Sequence, residues 1–502
     1  MNKPIARVSV AVILMVVALL ANSTYVQVFK ADKLRSDPRN NRVLLDEYSR
    51  QRGAITADGG SVIAVSTPTD SRLKFLRTYP AATAEAFAPV TGYYSFQYGS
   101  TGIEQYENSI LNGNDDRLFG QRFMDMFSGR DPRGGNVVTT INPRLQKVAF
   151  DGLRNGCTGG CRGAVVAIEP NTGKILALAT SPSYDPNKLA SHDQAVREKS
   201  WAAWNQSDDI NTPMLNRALN QLYPPGSTFK VITTASALRD GLTPDIRLTA
   251  SPSIVLPGTN TALTNYAGET CPGSTGGTVS LLQAFKYSCN TAFVDLSTSK
   301  MKDPIATFKQ TAQRFGIDSN QPDTPLPVSE STVGAIPDLA ALGQSAIGQR
   351  DVRVTPMQMA MIAATVANGG VRMQPYLVDK LQAADLRTLS TTQPTTINEP
   401  ITSDQAATLT SLMIESEKAT LGSGGPISIA SKTGTAEHSD NSDVTGETPY
   451  SWYIAFGPSS NAQIAVAVVV ENGDLGQAST GGAVSAPIGR AVIDALVGGA
   501  GG

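Results

Sequence analysis

The chain has 502 residues, with 41 Lys plus Arg set against 43 Asp plus Glu and a formal charge of −2. That length exceeds a usual single domain and can bury a large core, so at least two domains are expected. Nearly balanced charge without a long basic block argues against a nucleic-acid partner, and 2 His with no zinc-spaced cysteine cluster argue against a metal site.

At the N-terminus Lys3 and Arg7 precede an apolar core over residues 8–21, which Tyr25, Val26, Val28 and Phe29 prolong. The core alone is short for a bilayer, which needs about 20 residues, but the extended stretch suffices. No clean small-x-small cleavage site closes it, so residues 1–30 read as a cytoplasmic tip and an uncleaved transmembrane signal anchor. The positive flank places the first residues inside and everything after about residue 30 outside, although Lys30, Lys33 and Arg35 weaken that bias.

Residues 31–150 are polar and irregular, broken by Gly and Pro, and read as a separate small non-catalytic domain or pedestal. No internal repeat or heptad is present. Near its end a strand-like run at 137–141 precedes Asn142-Pro143, and 144–153 has helical spacing. Asn142 suits the N-cap and Pro143 the first turn, where a missing N–H costs little.

The main domain is expected over 151–497, followed by a loose tail at 498–502. Apolar runs at 164–168 and 174–179, joined by Glu169-Pro170-Asn171-Thr172-Gly173, predict a hairpin that opens its sheet. Residues 227–238 read as a buried helix started by Pro224-Pro225-Gly226, and 356–366 as another, ended by Asn368-Gly369-Gly370. Strands are predicted at 427–436, 451–457 and 464–470, then a closing helix at 486–497. Helices in the middle and strands at both ends predict an α+β fold whose sheet gathers strands from distant parts of the chain. The 4 Cys form two close pairs, and three connectivities are open to them. Cys157–Cys161 and Cys271–Cys289 are the simplest disulfides in an oxidising compartment; reduced, buried cysteines are the alternative.

Three segments carry candidate chemistry. In Ser227-Thr228-Phe229-Lys230, one helical turn brings an amine against a hydroxyl, so Lys230 can act as base for a Ser227 nucleophile if its setting keeps it uncharged. Ser227 at a helix start also lies among free backbone N–H groups suited to an oxyanion. In Ser288-Cys289-Asn290, an alternating pair in an extended loop can point a proton-relaying hydroxyl and a substrate-holding amide into one cleft. In Lys432-Thr433-Gly434-Thr435-Ala436, Thr433 and Thr435 share one strand face and can bind a carboxylate, while Gly434 permits close substrate approach. Lys432 supplies positive field and can assist proton transfer as a catalytic residue, and the Thr435 N–H can complete an oxyanion hole with that of Ser227.

Taken singly, two of these segments have rivals in the same chain. Ser71/Lys74 and Ser297/Lys300 repeat the first spacing, and Ser439-Asp440-Asn441 and Ser459-Ser460-Asn461 the second. Order and local setting single out the trio.

In this order the segments resemble the penicillin-binding protein and serine β-lactamase superfamily, over about 340 residues from near 160 to near 497. Tyr223-Pro224-Pro225-Gly226 before Ser227, and Gly348-Gln349 followed by Thr355-Pro356-Met357-Gln358-Met359-Ala360, extend the likeness. Arg52-Gly53-Ala54-Ile55 and Gly102-Ile103-Glu104 resemble the non-catalytic domain of the class B, monofunctional transpeptidases. The departures are Thr56-Ala57-Asp58-Gly59, where the family often continues with Asp-Arg, and Arg350 where it has glycine.

The resemblance implies an antiparallel sheet flanked by helices, with an all-helical subdomain and an elongated N-terminal domain. It implies a peptidoglycan D,D-transpeptidase without cofactor, whose Ser227 forms an acyl-enzyme from a stem peptide ending in D-Ala-D-Ala. Lys230 would be the acylation base, Ser288 the relay to the leaving amine and Asn290 a binder of the substrate backbone. Lys432, Thr433, Gly434 and Thr435 would recognise the terminal carboxylate or its β-lactam mimic. Septal wall synthesis, a separate membrane glycosyltransferase and other division proteins as partners are implied as well. The competing readings are a D,D-carboxypeptidase that delivers water to the same ester, a β-lactamase, for which no extra general base is identifiable, and a β-lactam receptor or silent division scaffold.

Overall fold

Two sheets organise the chain, and a helix placed across the expected domain boundary joins them. The computed structural model describes residues 2–30, 48–71, 73–128, 133–206, 211–319, 324–436, 449–471, 473 and 475–498. Lys33 and Arg35, Ser439-Asp440-Asn441 and most of the expected C-terminal tail lie outside the described residues. At the N-terminus α1 (Asn2–Thr24) runs into a π-helical turn at Tyr25–Phe29. Lys3–Phe29 is the one helix among the described residues long and apolar enough to cross a membrane.

The N-terminal sheet is built from β1 (Ile55–Thr56), β2 (Val62–Pro68), β3 (Phe75–Thr78) and β4 (Asn136–Thr139), with two strands from much later in the chain, β7 (Val378–Gln382) and β8 (Thr388–Thr391). Its order is β8-β7-β4-β1-β2-β3, with β1 and β4 parallel and the other pairs antiparallel. Residues 31–150 therefore do not complete their own sheet: its outer two strands, β7 and β8, come from the second half of the chain. Among the helices that accompany it are α2 (Ala84–Thr91), which is buried, and α3 (Phe119–Ser128), which is not.

A buried charge cluster closes this region. The Glu104 carboxylate accepts from Arg52 Nε at 2.6 Å, from Arg77 Nε at 2.5 Å and from the Tyr79 hydroxyl at 3.1 Å. The Arg52 guanidinium also lies 4.1 Å from the centre of the Tyr94 ring. Burial opposes the charged form of Glu104, but the charges of Arg77 and Arg52 outweigh it and hold the carboxyl below its ordinary range. Two of the segments that carried the resemblance, one beginning at Arg52 and one ending at Glu104, thus meet in one ion pair.

The expected boundary at 150/151 falls inside α4 (Pro143–Asn155). Asn142 caps it, its Oδ1 accepting from the N–H groups of Arg144 and Leu145. Leu145, Ala149, Phe150 and Leu153 make its buried face, which packs on the main sheet and on the closing helix, so this helix belongs to the second domain.

The main sheet runs β9-β10-β11-β5-β6, antiparallel throughout, from β9 (Ala430–Ala436), β10 (Tyr450–Gly457), β11 (Ile464–Val470), β5 (Gly163–Ile168) and β6 (Ile175–Ser181). β11 is buried at every position, as its unbroken Ile/Ala/Val run predicts for a strand covered on both faces. α4 and α10 (Ala486–Val497) cover one face, and α8 (Pro356–Ala367) packs on the other. Between β6 and β9 the chain supplies α5 (Lys230–Arg239), α6 (Leu281–Lys286), α7 (Asn290–Asp295) and α9 (Ser403–Lys418). This helical region also carries two short hairpin-like strand pairs, 253–255 with 262–264 and 247–249 with 278–280. The sheets are stitched together where Thr140 Oγ1 donates to Ile175 O at 2.7 Å and Ile175 N to Tyr376 O at 3.0 Å. Both expected disulfides, Cys157–Cys161 and Cys271–Cys289, are present.

Candidate active site

Ser227 sits in a 3-10 turn, Gly226–Phe229, that leads directly into α5. Gly226 has φ of 52°, and a Cβ there would stand 2.7 Å from Thr435 O, so this position needs glycine to seat the turn against β9. The turn is pinned from behind as well. Trp452 Nε1 donates to Pro224 O at 3.0 Å, and the Tyr223 hydroxyl to Glu471 Oε1 at 2.6 Å. Glu471 is itself buried and paired with Arg217 at 3.1 Å and with Arg162.

One turn into the helix, Lys230 Nζ lies 3.0 Å from Ser227 Oγ. Its other neighbours are Ser288 O at 2.6 Å, Asn290 Oδ1 at 2.7 Å and Ser288 Oγ at 3.2 Å. From the opposite wall Lys432 Nζ lies 2.9 Å from Ser288 Oγ and from Thr433 O. Ser288 thus touches both amines, and a proton can pass between them through its hydroxyl. Both lysines are fully buried, yet no carboxylate reaches either one among the described contacts. Burial, reinforced by the Lys432 charge, pushes the Lys230 ammonium well below the usual lysine range. Burial alone brings Lys432 down to about 7. An amine kept uncharged next to a hydroxyl is what proton abstraction from serine requires.

The second segment is built differently from its sequence reading. Ser288 and Asn290 do not alternate in an extended loop: they occupy a tight corner between α6 and α7, with Ser288 at φ of 60° and Asn290 already in the first turn of α7. The corner achieves the same convergence because the left-handed residue reverses the chain. The Cys271–Cys289 bond ties it from outside, and Asn290 Nδ2 donates to Thr264 O at 3.1 Å. Asn290 therefore holds Lys230 as well as facing the cleft.

Gly434 lines the cleft and has a second reason beside the expected one. A Cβ at this position would lie 2.8 Å from Pro225 O and 3.0 Å from Thr228 Cγ2, so the glycine also makes room for the Ser227 turn. Thr433 and Thr435 stand half-buried on one face of β9, as the strand period predicts, and both line the cleft. That cleft, about 980 Å³, is also lined by Ser227, Ser288 and Asn290, with Tyr266, Tyr287 and Arg350 among its walls.

The rival segments lie elsewhere in different company. Ser71 Oγ faces His192 Nδ1 at 3.1 Å, Ser297 Oγ donates to Val294 O while Lys300 reaches Asp295, and Ser459 Oγ meets Ser428 Oγ. Sequence reasoning missed the Glu471–Arg217 pair behind Tyr223. Its only signal was Tyr223 at the head of the proline-glycine run, because the partners lie 248 and 254 residues apart from one another's segments.

Two family models match the chain. Residues 163–494 match the penicillin binding protein transpeptidase domain, and residues 52–137 the penicillin binding protein A dimerisation domain. The peptidoglycan D,D-transpeptidase PbpA of Mycolicibacterium smegmatis is 54% identical over 499 residues, covering 99% of both chains, and its Mycobacterium tuberculosis counterpart is equally similar. The solved ceftriaxone acyl-enzyme complex of penicillin-binding protein A from M. tuberculosis aligns with a TM-score of 0.86 at 53% identity, covering 90% of this chain and all of that one. The penicillin G acyl-enzyme complex of the same protein aligns with a TM-score of 0.84.

Proposed function

Since this chain belongs to the penicillin-binding protein transpeptidase family, we propose a residue-by-residue course for the reaction, starting from Ser227. The enzyme is a serine-type peptidoglycan D,D-transpeptidase, and β-lactams acylate it covalently. The observation that carries the assignment of roles is the uncharged-leaning Lys230 amine 3.0 Å from Ser227 Oγ.

Lys230 takes the Ser227 proton as Oγ attacks the penultimate D-Ala carbonyl of a donor stem. The developing oxyanion is met by the backbone N–H groups of Ser227 and Thr435. As the C–N bond breaks, the proton travels from Lys230 through the Ser288 hydroxyl to the leaving D-Ala amine, which departs and leaves the ester on Ser227. The amine of a second stem then attacks that ester, gives up a proton along the same relay and restores Ser227 with a new peptide cross-link. Lys432, Thr433 and Thr435 anchor the donor's terminal carboxylate, and Asn290 binds the donor backbone while holding Lys230. A β-lactam takes the same route, but its amine leaving group stays tethered to the acyl chain, so the ester persists.

In this reading α1 anchors the protein with its N-terminus in the cytoplasm, and both domains lie outside. The work is cross-linking at the division septum beside a separate membrane glycosyltransferase. Labelled penicillin is expected to form an adduct that maps to Ser227 and vanishes in Ser227→Ala; an adduct at another residue would sink the assignment. Product analysis with a stem-peptide donor and an amine acceptor separates cross-linking from the carboxypeptidase reading, for which only shortened donor would accumulate.

A further inference from the structure

We propose that the apolar face of α3 seats the N-terminal domain on the bilayer that carries α1, inserting into the boundary between headgroups and acyl chains. The proposal rests on the reading of α1 as a membrane anchor. A surface helix ordinarily turns its apolar stripe inward. This one is reversed: Phe119, Phe123 and Phe127, each four residues from the next, are 64%, 47% and 75% exposed, with Met124 beside them at 67%. Ring centres 6.4 Å and 4.6 Å apart make the three phenylalanines one continuous ridge. Off this ridge Arg122 turns back to the domain and donates to Gly113 O at 3.0 Å. That bond ties the helix to the protein while its aromatic edge faces out.

The path of the chain identifies the occupant. Eighteen residues, 30–47, separate the end of the apolar helix at Phe29 from Tyr48. Even fully extended they span about 60 Å, so the domain stays within that distance of the membrane. The chain enters the domain beside α3: Arg50 Nη1 faces Asn114 Oδ1 at 3.4 Å, and Gln51 bridges Arg133. Asn114 and Arg133 bracket the segment that bears the ridge. The point where the tether arrives is therefore the point from which the ridge projects. Phe at the acyl boundary with polar residues on the far side is the arrangement of an interfacial helix. Residues 115–133 carry four Arg and four Asp, so the aromatic ridge and not headgroup charge drives insertion.

The test uses the full chain, one copy per bilayer disc of phosphatidylcholine or phosphatidylglycerol, with and without brominated acyl chains that quench indole fluorescence. Phe123→Trp is the reporter, Phe127→Trp a second one, and the unsubstituted chain supplies the background of Trp201, Trp204 and Trp452. Penicillin labelling checks folding; if one substitution disturbs it, the other carries the test. Loss of the added emission in brominated discs of both headgroup types supports the proposal. Emission that stays unquenched, while Tyr25→Trp in the anchor is quenched, overturns it and leaves the anchor standing. Emission that shifts to the blue only at several copies per disc, without quenching, also overturns it, because a second copy then covers the ridge. A Tyr25→Trp reporter that escapes quenching rejects the anchor reading itself, and the proposal falls with it.

Discussion

The carboxylate of Glu104 and the amine of Lys230 are both fully buried, yet the chain treats them in opposite ways. Glu104 is given two guanidinium groups and a phenol, and the attraction keeps it charged. Lys230 is given carbonyl and hydroxyl oxygens, an amide and a second lysine, so its charge is discouraged. A paired buried charge holds two segments in register, whereas an unpaired one stores reactivity at the expense of stability. The same chain thus separates the group that fastens its first domain from the group on which the proposed reaction rests in its second.

Breaking each centre in turn should expose that separation. Lys230→Ala should slow penicillin acylation by about 10²–10⁴-fold, the usual share of a positioned base, without lowering the melting temperature. Stopped-flow acylation and calorimetry on the same sample check it. Glu104→Ala should do the reverse, costing ~3–5 kcal/mol of stability by stranding Arg52 and Arg77, while folded molecules acylate at the parent rate. Denaturant titration, paired with the fraction of active sites that penicillin labels, measures both.

Lys432 sharpens the contrast through pH. Its folded pKa of about 7 lies below the ordinary 10.5, so between those values the unfolded chain binds more protons than the native one. Stability should therefore rise with pH across that window, by at most roughly 5 kcal/mol from this group. Lys432→Met should flatten the rise, gaining more stability at pH 7 than at pH 10, and should weaken capture of an anionic donor. A steeper pH dependence in the variant would contradict the assignment. The smallest effect belongs to the exposed pair Lys147–Asp151, where Lys147→Ala should change stability by no more than about 0.5 kcal/mol.

How much of this was legible follows from the range of each interaction. Ser227 and Lys230 are one helical turn apart, Thr433 and Thr435 two strand positions apart, and Asn142 caps the residues next to it, so local spacing located all of them. The corner at Ser288 escaped because a left-handed serine has no sequence signature; the spacing permitted an extended loop equally well. Arg77 and Glu471 were invisible as partners, since a lone charged residue does not announce which distant segment it meets. β7 and β8 carry too few apolar residues to read as part of a buried sheet: β7 is fully buried only at Val378 and Leu381, and β8, the edge strand, at no position. α3 has a clear helical stripe, but periodicity gives the stripe and not the direction it faces.

The late arrival of β7 has a consequence for biosynthesis. β4 ends at Thr139 and its neighbour β7 begins at Val378, so 239 positions of chain must be made before the sheet can close. At translation rates of about 5–20 residues per second, the emerging polypeptide waits on the order of ten to fifty seconds with an unsatisfied strand edge. The six-stranded sheet cannot close until most of the second domain has been made. Its first four strands and the chain that follows β6 therefore become native together, late in synthesis.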